Sequence, residues 1–456
     1  MRKLTNALTA ALVIVLLAGW ALVGGLQKAS AQTTNGLEST PVLGWSSWSF
    51  LKRQPTAANM EAQAQALKSS GLQKLGYNYV NMDDFWYQCP DRQGPNVDDY
   101  GRFVIDVTKF PSQGDTDGIK VLADYIHGLG MKFGIYMTPG ISSQAVVKKT
   151  AIEGTQYTAD QIAVSTHREE NYNCRGMVSI DFSKPGAQEY VNSLVNRFAK
   201  WGVDYLKLDG IEDYSGPDLE AWSKAIKQSG RPIVFDATEG DFTLALGPTV
   251  SKYADQWEPA PDIECGRCVR QHPELGYVLT TWANIAKRFN YAADWQQYAG
   301  NGRWNDYDSI EVGNGAHDGL SPDERKSQLS LWALASAPLI LGIDLTHLDP
   351  QDLQLLENTA VLAVNQDSIA AKRVANNGDQ QVFAKTEKNG DAIVGLFNLG
   401  EKEETVSVQA SALGLSEKKG SYSLKDLWTG KKMKTGIAIA ATVPSHGVVL
   451  YRIKGH

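Results

Sequence analysis

The segment Val191-Asn-Ser-Leu-Val-Asn-Arg-Phe198, followed closely by Val203-Asp-Tyr-Leu-Lys-Leu-Asp209, holds one full period of the pattern that decides the fold. Val191, Leu194, Val195 and Phe198 recur at i, i+3, i+4 and i+7, the apolar stripe of an amphipathic helix. The second piece is a short apolar strand that ends on an acid. From Thr40 to about Gln366 this alternation repeats, which is the signature of βα units on a parallel sheet. Strand-like runs stand at Pro41 to Trp48, Tyr77 to Asp84, Lys132 to Thr138, Val203 to Asp209, Pro232 to Thr238, weakly near Trp257, Arg303 to Asp308 and Pro338 to Asp344. Ile119, Leu122 and Ile126 mark a looser helix. Ser321-Pro-Asp-Glu324 announces another, with an N-cap, a proline at the first helical position and a capping-box glutamate. Eight repeats in about 330 residues fit a (β/α)8 TIM barrel with inserted loops. A doubly wound open sheet would usually carry a glycine-rich phosphate turn, and none is present.

After about Ala375 the pattern changes. Gln381 to Glu387, Asp391 to Leu399, Glu404 to Ala410, Tyr422 to Trp428 and Val448 to Ile453 read as short strands without long helices between them, and Asn389-Gly390 is a hairpin signal. The fold class expected is therefore α/β, a (β/α)8 barrel followed by a C-terminal antiparallel β-sandwich. Residues 1–31 are assigned to a signal peptide, 32–372 to the barrel and 373–456 to the β domain.

The signal assignment rests on Arg2 and Lys3 ahead of an apolar run from about Ala7 to Leu26, and on the small-x-small site Ala29-Ser30-Ala31. It implies a secreted or periplasmic protein. The run is longer than the ~7 to 15 residues usual for a signal core, so an uncleaved anchor stays open, while no later segment is apolar enough to span a bilayer. The 456 residues carry a net charge of -7, and cleavage would remove three cations and no acid. A nucleic-acid partner is disfavoured by that balance. Four cysteines are too few for a disulfide framework that replaces a core, and seven scattered histidines show no metal-ligand spacing. Neither a metal nor another cofactor is expected, and nothing bears on the oligomeric state.

In a barrel, chemistry gathers at the C-terminal ends of the strands. Here those ends are acidic. Asp83-Asp84 closes the second strand, Asp209 the fourth, Glu239 follows the fifth, Asp262 the sixth, and Asp306 and Asp308 close the seventh. A single acid after a strand is commonly a helix N-cap, the plain reading for Asp306 or Asp344, but the six others on one rim point to a site. Lys207 and Asp209 are two apart, so both side chains point the same way and the ammonium favours an ionised carboxylate, as a nucleophile requires. Trp48, Trp86, Trp257 and Trp304 lie near the same ends, where core packing and sugar stacking compete.

At these residues the chain resembles the α-galactosidases of glycoside hydrolase family 27. The motifs that carry the resemblance are Thr40-Pro-Val-Leu-Gly-Trp-Ser-Ser-Trp48, Tyr77-Asn-Tyr-Val-Asn-Met-Asp-Asp84, Lys132-Phe-Gly-Ile-Tyr136, Val203-Asp-Tyr-Leu-Lys-Leu-Asp209, Arg303-Trp-Asn-Asp-Tyr-Asp308, Ala337 to Asp344 and Val364 to Asp367. It runs over nearly the whole chain beyond the leader, including Asp426-Leu-Trp428 and His446-Gly447. It implies a retaining exo-glycosidase that acts on terminal α-galactosyl residues, with Asp209 as nucleophile and Asp262 as general acid/base, the two carboxyls ~5 to 5.5 Å apart. It further implies Trp48 as stacking platform, Asp83 and Asp84 on the 4- and 6-hydroxyls, Tyr136 beside the nucleophile, Lys207 on a ring hydroxyl, Glu239 on the 2-hydroxyl, and Trp257 and Asp308 as further substrate contacts. Ionised acids accept strongly from sugar hydroxyls, so an acidic pocket for a neutral galactoside is coherent.

The chain departs from the family pattern around the site. Glu258 stands where the family usually has arginine, Thr238-Glu239-Gly240 replaces Cys-Glu-Trp, Gly210 replaces the cysteine after the nucleophile, and Tyr307 replaces a proline. These changes bear on the substrate more than on the mechanism. The Asp83-Asp84 pair favours an axial 4-hydroxyl, as in galactose or β-L-arabinopyranose, so a β-L-arabinopyranosidase is the alternative within the fold. A non-catalytic carbohydrate-binding protein is the alternative from another class, and Glu258 is the feature in its favour. Cys265-Gly-Arg-Cys268 could suggest zinc, but no second pair follows at suitable spacing, and a local disulfide is the better reading in an exported protein. Cys89 and Cys174, both in rim loops, would then form a second one.

Overall fold

The computed structural model describes residues 37, 39–90, 94–239, 242–264, 278–300 and 302–455. The readings of 1–31 as a leader and of Cys265 and Cys268 as a pair lie outside the described residues.

The barrel strands are β1 (Leu43–Ser46), β2 (Tyr79–Met82) and β3 (Lys132–Met137), then, after three strands of a side sheet, β4 (Ile141–Ser142), β5 (Ala163–Glu169) and β6 (Met177–Ile180), the strands β7 (Tyr205–Ile211), β8 (Val234–Glu239), β9 (Gln256–Trp257), β10 (Trp304–Asn305) and β11 (Leu339–Leu341). The eight run parallel in the order β10-β9-β8-β7-β3-β2-β1-β11. Ile310 closes the ring. Its N–H donates to the Ile340 carbonyl at 2.7 Å and its carbonyl accepts from Gly342 at 3.1 Å, which joins the β10 side to β11.

All eight strand-like runs of the sequence are in this sheet. The helix Ala187–Trp201 buries Val191, Leu194, Val195 and Phe198, the stripe its spacing predicts. The helix Pro322–Ala335 begins with the expected reciprocal cap: Ser321 accepts from the Glu324 N–H, and Glu324 accepts from the Ser321 N–H at 2.7 Å.

Strand alternation grades the barrel interior. One closed cluster joins Val42, Tyr79, Tyr205, Val234 and Ile340. Two residues farther along their strands come Asn81, Lys207 and Asp236, and two farther again Asp83, Asp209 and Thr238. Successive inward positions on a strand are two apart, so β2, β7 and β8 read apolar, then polar, with β2 and β7 leading to an acid at the C-terminal end.

The remaining strands are β12 (Lys372–Asn377), β13 (Gln380–Thr386), β14 (Ala392–Asn398), β15 (Glu404–Gln409), β16 (Tyr422–Asp426), β17 (Lys432–Thr435), β18 (Ala438–Val443) and β19 (Val448–Ile453). They form an antiparallel sheet in the order β12-β13-β14-β19-β16-β17 and a β15-β18 pair, which share an apolar core. Asn389-Gly390 lies in the β13–β14 hairpin, with Gly390 at φ 84°. Strand β14 passes so close to the barrel helix Pro322–Ala335 that a Cβ on Gly395 would come 2.6 Å from Leu334.

Lys385 ties the two parts together. Its side chain has no exposed surface, and Nζ lies within hydrogen-bond reach of the Ala333, Val364 and Ile369 carbonyls, Ser336 Oγ and Asp367 Oδ1. Burial works against its charge and pulls it down to about 8, with Asp367 opposing. Removing one partner of a buried charge pair costs about 3–5 kcal/mol, so Lys385→Met lowers the unfolding free energy by that order in chemical denaturation. A loss under about 1 kcal/mol, the size of an exposed pair, would refute the role given to Lys385.

Candidate active site

The acidic strand ends converge on a pocket of about 230 Å³, smaller than the ~300–1,000 Å³ of drug-sized sites and suited to one small ring. Strand β7 delivers Lys207 and Asp209, β2 leads into Asp83 and Asp84, β3 supplies Tyr136, and Trp48 and Asp262 complete the part of the wall foreseen in the sequence.

Asp83 is buried and anchored. Its backbone N–H donates to Ser47 Oγ at 2.9 Å, and Oδ2 accepts from Lys207 Nζ at 3.0 Å. Burial opposes the Lys207 charge, but Asp83, Asp209, Glu258 and Asp308 outweigh it and hold the ammonium well above its ordinary range. The hydrogen bond of Lys207 thus goes to Asp83, while Asp209 receives its field without a bond.

Asp209 Oδ1 accepts from the Gly210 N–H at 2.8 Å and from Thr238 Oγ1 at 3.3 Å. Burial is the largest influence on it. Lys207 and a Tyr136 hydrogen bond pull the other way, Asp83 and Asp262 add repulsion, and the carboxyl is pushed up to about 8. Lys207 favours the ionised form, as its spacing from Asp209 leads one to expect, but desolvation at the barrel floor exceeds one ammonium's attraction.

Asp262 reaches the mouth, where Oδ2 accepts from Trp48 Nε1 at 3.3 Å. Desolvation by the surrounding wall, then the Asp308 charge, raise it. The Trp48 ring lies parallel to Phe85, 6° apart in plane, with Lys52 Nζ 4.8 Å from its centroid. Asp84 is raised mainly by burial, and accepts from Asn173 Nδ2 and, at 2.7 Å, from the Phe85 N–H.

Three expected contacts are placed differently or not described. Trp257 has no exposed surface and belongs to the main apolar core. Its neighbours explain why: Gln256 bonds Tyr205 and Asp306 inside the barrel and Glu258 lines an interior cavity, so strand alternation turns Trp257 outward to the helices. Trp86 and Trp304 are likewise buried. Asp308 lines a cavity of about 30 Å³ below the pocket, which Asp83 and Lys207 separate from it. Asp308 accepts from the Ile263 N–H at 2.6 Å, a residue after Asp262, and so pins that segment. The side chain of Glu239 lies outside the described residues.

The small cavity is acidic. Glu258 lines it with one carboxyl oxygen unpartnered, and burial followed by the Asp308 charge raises it well above the carboxylate range. Burial thus works against the charged form of Glu258, the residue that stands where the family usually has arginine. Asp306 is also raised, by burial and then Asp236. Among the described residues, Asp262, Glu264 and Asp308 bring carboxyl oxygens within 4.8 Å of one another. Trp48 Nε1 stands against Asp262, Ser49 and Lys52 against Glu264, and backbone N–H groups against Asp308, so protein donors already serve all three.

Two pocket residues escaped the sequence reading. Tyr172 and Asn173 reach the wall from the connection between β5 and β6. The nearest sequence signal was Cys174, which forms a disulfide with Cys89 across a Cα–Cα distance of 5.4 Å, the second pairing expected.

A family model described as alpha galactosidase A matches residues 40–166 and 171–367, and one described as the alpha galactosidase C-terminal beta sandwich domain matches 377–453. The chain is 32% identical to an alpha-galactosidase of Oryza sativa subsp. japonica over 91% of its own length and 85% of the relative's. It is 28% identical to alpha-galactosidase A of Cellvibrio japonicus, covering 96% and 98% of the two chains. Among solved structures, a GH27 β-L-arabinopyranosidase from Geobacillus stearothermophilus superposes with a TM-score of 0.81 at 29% identity, covering 93% of this chain and 98% of that one. Alpha-galactosidase I from Mortierella vinacea superposes at 0.71 and 28%, covering 92% and 98%.

Proposed function

The chain belongs to glycoside hydrolase family 27, the α-galactosidase family, and from that membership we propose that it is a retaining exo-glycosidase that removes terminal α-D-galactosyl residues from oligosaccharides or glycans. The observation that carries this reading is the pocket itself, with Asp209 at its floor, Asp262 at its mouth, and Trp48, Asp83, Asp84, Tyr136 and Lys207 between them. A pocket of one ring's size fits an exo action. Asp262 gives its proton to the glycosidic oxygen while Asp209 attacks the anomeric carbon, and the C–O bond to the leaving group breaks. Water then attacks the glycosyl ester, its proton passing to Asp262, and the sugar leaves with its original configuration. Trp48 offers an apolar face to the ring, and the Asp83 carboxyl accepts from hydroxyls. Asp308 acts through the backbone of the acid/base segment, and Trp257 supports it from the core. We take residues 1–31 as the exporting leader, so the enzyme works outside the cytoplasm. No helix among the described residues is long and apolar enough to cross a membrane.

A panel of aryl glycosides tests the substrate, with proton NMR of the first product as the test of retention. Release from p-nitrophenyl α-galactoside with α-galactose appearing first is the expected result. Turnover confined to the β-L-arabinopyranoside would replace the assignment with the second reading, which the fit to the Geobacillus enzyme favours. Binding of galactose without any turnover would establish the non-catalytic reading instead.

The same carboxyls set the pH profile. Interacting acids release protons as a pair, and the form with one proton is the working one. With Asp209 pushed up to about 8, the pair loses its last proton near there, the leaving group loses its acid, and kcat/KM falls with further rise in pH. A pH series on the aryl galactoside checks this. A falling limb complete by about pH 6, in the range of only moderately raised carboxyls, would contradict it.

A further inference from the structure

We propose that the arm Glu170–Cys174 builds a leaving-group site, in which Tyr172 is the face against which the sugar next to the galactosyl unit stacks. The inference rests on the galactosidase reading and adds the class of aglycone, a neutral sugar, to it.

The arm joins β5 to β6 in the side sheet and stands outside the barrel frame. Four attachments fix it. Asn171 is buried, accepts from the Cys174 N–H at 2.8 Å and donates to Tyr87 Oη at 2.9 Å. The Cys89–Cys174 disulfide ties the arm to the loop after β2. Asn173 donates to Asp84. Glu170 lies against Gly210, directly after the nucleophile; Gly210 has φ +81°, and a Cβ there would come 3.2 Å from Glu170 Cβ. Glycine in place of the family's cysteine therefore gives the arm its room beside the catalytic floor. The family match breaks between 166 and 171, at the base of this arm.

Between the two fixed asparagines, Tyr172 keeps 46% of its surface exposed while lining the pocket. A lone exposed tyrosine is ordinary. One held in the wall of a catalytic pocket by a disulfide, a buried Asn171 and a half-buried, hydrogen-bonded Asn173 is pre-organised, so little ordering cost falls on binding. The pocket is blind at Asp209, and Asp262 must reach the glycosidic oxygen from the mouth, so the leaving group exits on the side where Tyr172 is exposed. Pyranose faces carry C–H groups that pack on a tyrosine ring.

The test compares two substrates of one glycone, an α-galactosyl-(1→6)-glucose disaccharide and α-galactosyl fluoride, whose leaving group is too small to touch the arm. In Tyr172→Ala the ratio of kcat/KM for the disaccharide to that for the fluoride falls about tenfold, the size of one aromatic contact, and Tyr172→Trp restores it. A ratio unchanged in Tyr172→Ala, or a loss shared equally by both substrates, would overturn the arm's role while leaving the enzyme a galactosidase. A wild-type protein that hydrolyses neither substrate would overturn the galactosidase reading and the arm with it.

Discussion

Replacing Asp209 by asparagine abolishes turnover of p-nitrophenyl α-galactoside to within a factor on the order of 10⁴ to 10⁶ of wild type, the loss seen when a covalent nucleophile is removed from an enzyme. The substitution keeps volume and leaves the Gly210 and Thr238 donors a side-chain oxygen to meet, so the fold should survive and circular dichroism should not change. An uncharged amide cannot form the glycosyl ester. The diagnostic comes from a smaller side chain: Asp209→Gly with azide present yields β-galactosyl azide, because one external displacement replaces two and inverts the centre. Turnover of Asp209→Asn within tenfold of wild type, or α-configured azide from the glycine variant, would move the nucleophile elsewhere on the rim.

The second large effect concerns Asp262 and depends on the leaving group. Asp262→Ala loses about 10²- to 10⁴-fold in kcat/KM on a sugar leaving group, the usual worth of a positioned proton donor. It loses far less on a dinitrophenyl galactoside, whose phenolate departs without a proton. With the good leaving group the first step stays quick and the ester accumulates, so azide restores turnover and gives α-galactosyl azide, with retention. Opposite azide stereochemistry at the two aspartates separates their roles in one assay. A uniform loss across leaving groups would remove the acid/base assignment from Asp262.

Asp209 was legible because strands have a period of two, whereas Asp262, in the loop beyond β9, was read as an acid after a strand and given its role by the family resemblance. Tyr205, Lys207 and Asp209 alternate inward, and only a barrel interior accepts that ordering of apolar, basic and acidic groups. The same rule, applied to Gln256, Trp257 and Glu258, places Trp257 on the outer face, so its burial was readable too but was masked by the appeal of an aromatic near the rim. Strand β9 has two residues, too few for a periodic signal. The side strand β5 and the late strands β12 and β17 were not recognised, since their exposed and half-exposed residues, such as Lys432 to Thr435, carry almost no apolar alternation. Tyr172 and Asn173 lie in a connection, where position comes from the disulfide, Asn171 and Gly210 together, and no local pattern encodes such a convergence. Burial also lay beyond the sequence: Lys207 beside Asp209 suggested a readily ionised acid, while desolvation prevails in the folded barrel.

The uneven lengths of the barrel strands divide stiffness between the two halves of the chemistry. The proposed nucleophile stands near the end of β7, whose Tyr205 to Leu208 pair with β3 and β8 on either side, whereas the proposed acid/base lies in the connection beyond β9, which is two residues long. An anvil and a hinged arm is the mechanical picture. In the proposed mechanism the anomeric carbon meets a group carried by the sheet itself, and the group that must serve first a departing oxygen and then an incoming water is carried by a connection beyond it.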